Sequence, residues 1–314
     1  LLLFWLFSLV FSMSTPNISR GVLFTVLAFI IWGLFPLYWK ALHGIDALQI
    51  ISHRIVWSAV FVAVILLLQK NWSWLLPSIK NPRVLGVFAL SSLLLSLNWL
   101  LYIWAVNENR VVDASLGYFI NPLINVLLGR LFLGERLTGS QSFAVGLAAI
   151  GVLWITIAAG TLPWIALCLG LSFGIYGLLR KRASLPSLEG LALETFLMAP
   201  FALAALLWFH SKGQGALGNI SWNIDALLMG AGVVTALPLL MFASGARTLK
   251  LATVGIIQYI GPTLQLLLGV WLYQEPFGMD RIIGFSLIWA ALIIYSAAGV
   301  ISYWKASRLA GQSA

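Results

Sequence analysis

The chain has 314 residues, of which 61% are hydrophobic and only 9% charged, and it carries a formal net charge of +9. A water-soluble globule of this length needs far more polar side chain to cover its surface, so the composition excludes one and points to a polytopic membrane protein. The basic residues are scattered through the connections and gather on no single face, which speaks against a nucleic-acid partner.

Along the chain, residues 1–17 read as an amino-terminal extension: they begin apolar but lack the basic leader and small-residue cleavage site of a signal peptide, and Met13 is an alternative start. Ten apolar runs follow, near 21–40, 46–69, 84–106, 113–134, 140–159, 162–180, 188–209, 225–246, 251–273 and 282–304. Each is about as long as the roughly 20 residues a helical bilayer crossing requires. The connections are short, the longest being "HSKGQGALGNISWNID", and 309–314 form a polar tail. The expected fold is therefore all-α, with ten transmembrane helices.

If the amino end is cytoplasmic, Lys40, Arg110, Lys212 and Arg281 fall outside, Arg54 lies within a span, and the remaining basic residues fall inside. Positive charge concentrates on the cytoplasmic side of helical membrane proteins, so both termini are expected there. The single cysteine, Cys168, excludes an internal disulfide and a cysteine metal cluster, and reads as a small packing residue.

Internal repetition is the most informative signal. A shift of about 140 positions lays "LGYFINPLINVLLGRLFLGE" over "IIQYIGPTLQLLLGVWLYQE", matching Pro122 to Pro262, Gly129 to Gly269 and Glu135 to Glu275. One position further, "WGLFPLYWK" meets "FGIYGLLRK", matching Gly33 to Gly174 and Lys40 to Lys181. The chain is thus a duplication, with residues 18–159 as one five-helix repeat and 160–308 as the other. Five is odd, so the second copy enters the membrane from the opposite side, and such inverted repeats are typical of secondary transporters.

The strings "LNWLLYIWAVNENRVVDASLGYFINPLINVLLGRLFLGERLT", "WGLFPLYWK" and "SHRIVWS" resemble the RarD branch of the EamA-type transporters, within the drug/metabolite transporter superfamily. The resemblance runs from about residue 18 to residue 305 and is looser in the second half. It implies a multi-pass permease of the bacterial inner membrane, built from two five-helix EamA-like repeats, in a branch linked to chloramphenicol sensitivity.

Candidate site residues follow from polarity inside the spans. Pro122 and Pro262 each remove a backbone donor and crowd a carbonyl one turn back, so they are expected helix kinks facing protein or water. Tyr118, Pro122, Asn125 and Gly129 share one helix face, and Gln258, Pro262, Gln265 and Gly269 form the matching face in the second repeat. With Asn121, these stripes are expected to line the substrate path; the competing reading is that the amides bond neighbouring helices and the glycines permit close packing. Arg54, beside His53, and Glu194 occupy equivalent places in the two repeats. They are expected to form either a coupling or gating pair near the pseudo-two-fold axis, or structural ion pairs or anchors. Asn98 and Tyr102 share a face of the third span and are expected either to line the cavity or to serve packing, with Trp104 in an interfacial belt. Trp32, Tyr38 and Trp39 read as belt and packing residues, and Glu135 and Glu275 as loop or capping residues.

No phosphate-binding loop of an ATP-driven pump is present. His43, His53 and His210 lack metal-site spacing, "MFASGA" lacks the Gly and base of a nucleophile turn, and only Glu194 among nine carboxylates lies clearly within a span. No enzymatic activity, cofactor or metal is expected. The reading is a permease exporting a small organic metabolite or drug-like solute by alternating access, proton-coupled or not, embedded in lipid as monomer or homodimer. The alternatives are a membrane-embedded enzyme or scramblase acting on lipid-linked substrates, or a non-transporting scaffold.

Overall fold

The computed structural model describes residues 18–134, 138–249 and 257–312. Residues 1–17, Glu135 and Lys250 lie outside that set, and with them the expectations about the amino-terminal extension and about Glu135. The described chain is helical: α1 (Ile18–Gly33), α2 (Phe35–Lys40), α3 (Ala47–Gln69), α4 (Leu75–Lys80), α5 (Pro82–Asn107), α6 (Val111–Leu133), α7 (Gly139–Ala159), α8 (Trp164–Arg182), α9 (Ser187–Ser211), α10 (Trp222–Thr248), α11 (Ile260–Leu267) and α12 (Met279–Gln312). Among the described residues eight helices are long and apolar enough to cross a bilayer, and two shorter apolar ones, Trp164–Arg180 and Ile260–Leu272, complete the ten expected spans.

Local chemistry sets the ends of these helices. Asp46 accepts from Leu48 N at 2.8 Å to start α3, and Asn81 accepts from Arg83 N at 3.1 Å ahead of Pro82 to start α5. Thr138 and Gln141 form a reciprocal capping box at α7. Gly134 and Gly160, both left-handed, stop α6 and α7 where a side chain would be strained. The first span is broken between α1 and α2, and Pro36 in the first turn of α2 explains why: it cannot donate to the Trp32 carbonyl. The short helix α4 is an addition to the ten predicted runs. The tenth helix continues to Gln312, well past its apolar window of Met279–Ala298.

The packing is that of a protein dissolved in lipid. Leu131, Phe132, Phe201, Leu207, Trp271 and Ile293 are exposed, while Gln49, His53, Arg54, Ser91, Asn98, Glu194 and Gln265 are buried. Cys168 is exposed, contrary to its expected packing role. Helix pairs recur when the repeats are exchanged, with α1 and α2 counted as the first span and α3, α5 to α12 as the second to tenth. The first span packs on the eighth as the sixth packs on the third, and the fourth on the sixth as the ninth on the first. The second–seventh, fourth–ninth and fifth–tenth pairs map onto themselves. Individual contacts obey the same exchange: a methyl at Gly33 would meet Leu264 Cβ at 2.8 Å, and one at Gly174 would meet Ile124 Cγ2 at 2.9 Å, and Ile124 is the repeat equivalent of Leu264. Gly170 likewise admits Ile124, so the small-residue stripe of the sixth span serves contacts within the fold.

Candidate functional site

Helix α5 carries the polar face around which the interior is built. Ser91, Ser92, Asn98, Trp99 and Tyr102 are all buried on it. Ser91 and Asn98, and Ser92 and Trp99, are seven apart, and Tyr102 is three or four residues further on, so all lie on one side of a helix that otherwise presents leucines to lipid.

Arg54 reaches this face from α3 and is only 3% exposed. Its guanidinium stacks 3.9 Å from the Trp99 ring centre, 5.0 Å from Trp39 and 5.6 Å from Phe35. The phenols of Tyr118, Tyr102 and Tyr38 are within electrostatic reach, and Tyr102 and Tyr118 stack edge to face at 5.7 Å. Nε and Nη1 of Arg54 are buried without a hydrogen-bond partner. Trp39, expected in the belt or as packing, is fully buried in this cage.

Glu194, on α9, is 2% exposed and fully engaged. Ser91 Oγ donates to Oε1 at 2.6 Å, Tyr176 Oη donates to Oε2 at 3.4 Å, and Arg180 Nη1 stands 3.8 Å from Oε1. Arg180 also lies over the Phe88 ring and above the bare Cα of Gly190, where a methyl would sit 1.9 Å from Nη1. Glu194 therefore pairs with Arg180 and makes no ion pair with Arg54 among the described residues. Sequence reasoning missed Arg180, Ser91 and Tyr176. The signal was present, however, since the shift that matches Gly33 to Gly174 also matches Phe35 to Tyr176 and Trp39 to Arg180. Arg54 contacts Phe35 and Trp39, and Glu194 contacts their equivalents Tyr176 and Arg180, so the two buried charges occupy equivalent places in the two repeats. Trp99 joins them: it stacks on Arg54 and bounds a crevice with Ser92, Glu194, Thr195 and Met198.

The two proline stripes are less alike than their sequences. Pro122 is interior to α6, whereas Pro262 lies in the first turn of α11, where a missing N–H is least costly. Gln265 is buried and donates from Nε2 to Trp32 O at 3.0 Å, the carbonyl that Pro36 leaves unpaired. Its counterpart Asn125 is exposed on α6, with Oδ1 alongside Gly174. Gln258 is half-buried just before α11. Asn98 donates from Nδ2 to Leu169 O and Ser172 Oγ, both at 2.9 Å. Thus the amides do bond neighbouring helices, yet Oδ1 of Asn98, Oδ1 of Asn121, Oε1 of Gln265 and the Tyr102 hydroxyl are buried without partners. His53 is buried within electrostatic reach of Asp225 at the start of α10.

Glu275 caps the start of α6 from beyond the ninth span. Its Oε1 and Oε2 accept from Val111 N at 2.6 Å and Val112 N at 2.8 Å, the free donors at the start of α6. Among the described residues no group of three His, Cys, Asp or Glu side chains is placed to hold a metal.

Ten apolar spans, paired in an inverted two-fold arrangement around buried charge, define a polytopic membrane transporter. The sequence profile of the EamA-like transporter family matches residues 19–157 and again 162–297, and the chain belongs to that family, in its RarD branch. It is 49% identical over 298 residues to the uncharacterized transporter YojE of Bacillus subtilis, covering 93% of this chain and 98% of that one. It is 40% identical over 296 residues to the protein RarD of Escherichia coli, covering 94% and 100%, and 32% identical over 298 residues to the chloramphenicol-sensitive protein RarD of Pseudomonas aeruginosa, covering 93% and 96%. A crystal structure described simply as that of a protein shares 16% identity and a TM-score of 0.59, covering 89% of this chain and 98% of its own, a likeness of fold alone. The chain is accordingly a multi-pass inner-membrane transporter.

Proposed function

We propose that the protein is a secondary permease that exports a small organic metabolite or drug-like solute by alternating access. The two five-helix repeats, residues 18–159 and 160–308, interleave and exchange roles as the molecule rocks around a midplane site between the fourth and ninth spans. The observation that carries this reading is the exchange symmetry of the helix contacts. An arrangement in which every major interface has a swapped twin has two equivalent tilts, one opening inward and one outward.

Substrate contact is assigned to Tyr118, Asn121, Asn125, Gln258, Gln265, Asn98 and Tyr102. In support, several of their oxygens are buried yet unpartnered, and such atoms cost about 1–3 kcal/mol each unless a solute or water serves them. Glu194, with Arg54 and His53, is assigned to gating or coupling. A charge near the bilayer centre costs at least ~2.5 kcal/mol and is retained where it is used. Both termini are assigned to the cytoplasm, a reading supported by the distribution of basic residues.

The test is uptake and efflux in everted vesicles with a metabolite library, with and without a proton gradient. Asn125→Ala and Gln265→Ala are expected to weaken transport of whichever solute moves, and Glu194→Gln to abolish its proton dependence. Wild-type vesicles that move no solute, or variants that leave transport and its proton dependence unchanged, contradict the assignment.

A further inference from the structure

Among the described residues, Arg54 is a buried charge that the fold leaves without an opposite charge; Arg180 Nη1 also lacks a hydrogen bond, but it stands 3.8 Å from Glu194. Glu194, its repeat equivalent, has a cation, a hydroxyl and a phenol around it. Arg54 has aromatic faces alone, and Nε and Nη1 find no acceptor although both are buried. No carboxylate among the described residues comes within ion-pair distance of it.

Aromatic stacking compensates a guanidinium from above and below, by about 0.5–2 kcal/mol, but leaves the Nε and Nη1 donors unsatisfied. These lie on different forks of the guanidinium, and each offers a charge-assisted hydrogen bond to an anionic oxygen. The neighbouring Tyr102 hydroxyl, also buried and unpartnered, supplies a further donor. Phe35, Trp39 and Trp99 surround the position with apolar surface, which fits a solute with a hydrocarbon body.

We infer that Arg54, with Tyr102, is the recognition point for the carboxylate of an organic monoanion, so that the exported solute is a carboxylic acid with an apolar body. The inference rests on the permease reading and narrows its substrate class. A phosphate is a poorer match, because its charge of about −1.5 to −2 calls for more than one cation. Exchange symmetry gives the pairing its logic: the cation that serves Glu194 in one repeat is replaced by Trp39 in the other, and the charge that Arg54 lacks arrives with the solute.

The experiment is thermal unfolding of the purified full chain in detergent with phenylacetate and hexanoate, each compared with its neutral amide and with 2-phenylethylamine or hexylamine. The acids are expected to stabilise the wild type saturably and the amides and amines to have little effect. Arg54→Gln should shift the acid response to concentrations roughly tenfold to a hundredfold higher, with Arg54→Lys intermediate. If Arg54→Gln does not fold, the acid–amide–amine comparison in the wild type decides alone. Equal stabilisation by acids and amides, an undiminished acid response in Arg54→Gln, or no response to either acid overturns the assignment. Proteoliposomes that move neutral or cationic solutes while no acid binds remove this inference and leave the permease standing. Acids that bind through Arg54 while no solute moves keep the carboxylate site and remove the permease reading, and with it the statement that the bound acid is exported.

Discussion

Gln265 shows how a single side chain repairs a backbone defect on another helix. Pro36 strips the Trp32 carbonyl of its intrahelical donor, and Gln265 Nε2 supplies a replacement from 233 positions away in sequence. Gln265→Leu is expected to lower stability by ~1–2 kcal/mol, measured by thermal unfolding in detergent. In a Pro36→Ala background, where an N–H is available again, most of that loss should vanish; additive effects would show that the two residues are not coupled. Gly190 acts in a comparable way for Arg180. Gly190→Ala removes the space in which the guanidinium lies and should weaken the Glu194 pair, costing ~1–3 kcal/mol and matching Arg180→Met in the same assay.

The helices depend on contacts that their own sequences do not contain. The start of α6 has no side-chain cap from Arg110 and is held instead by Glu275, beyond the end of the ninth span. Glu275→Ala should cost about 1–2 kcal/mol and expose the Val111 and Val112 amides to faster hydrogen exchange, with Glu275→Gln intermediate. Close approach of α3 and α10 needs Gly232, where a methyl would stand 2.3 Å from the backbone carbon of Trp57. Gly232→Ala is expected to abolish monodisperse protein on size-exclusion chromatography, whereas Gly86→Ala, with nothing within 4 Å, should behave as wild type. The second proline stripe is interrupted by the π-helical turn Leu268–Leu272, which shifts the residues from Leu268 onward off the register that a regular α-helix would give them.

Across the whole molecule, the proposed orientation has a direct consequence at two exposed lysines. In a Cys168→Ser background, Lys212→Cys should react with a membrane-impermeant maleimide added to intact cells, and Lys70→Cys should react only after lysis. The opposite pattern would reverse the topology and place the solute path's outer mouth at the other end. The same molecule-wide arrangement explains why the charges do not meet. Each repeat turns its buried group toward the helix before it, so Arg54 meets Trp39 and Glu194 meets Arg180.

The apolar runs, the duplication and the odd number of spans per copy were legible in the sequence because they depend only on length, hydropathy and periodicity, which the bilayer imposes locally. The same reading singled out Arg54, Glu194, Asn98, Tyr102 and Gln265 as polar groups inside spans. Who partners whom was decided only in three dimensions. Gln265 serves Trp32, Asn98 serves Leu169, and Arg180, counted in the sequence as a topology charge, serves Glu194, because a buried donor is satisfied by whatever acceptor the packing brings within about 3 Å, regardless of its distance along the chain.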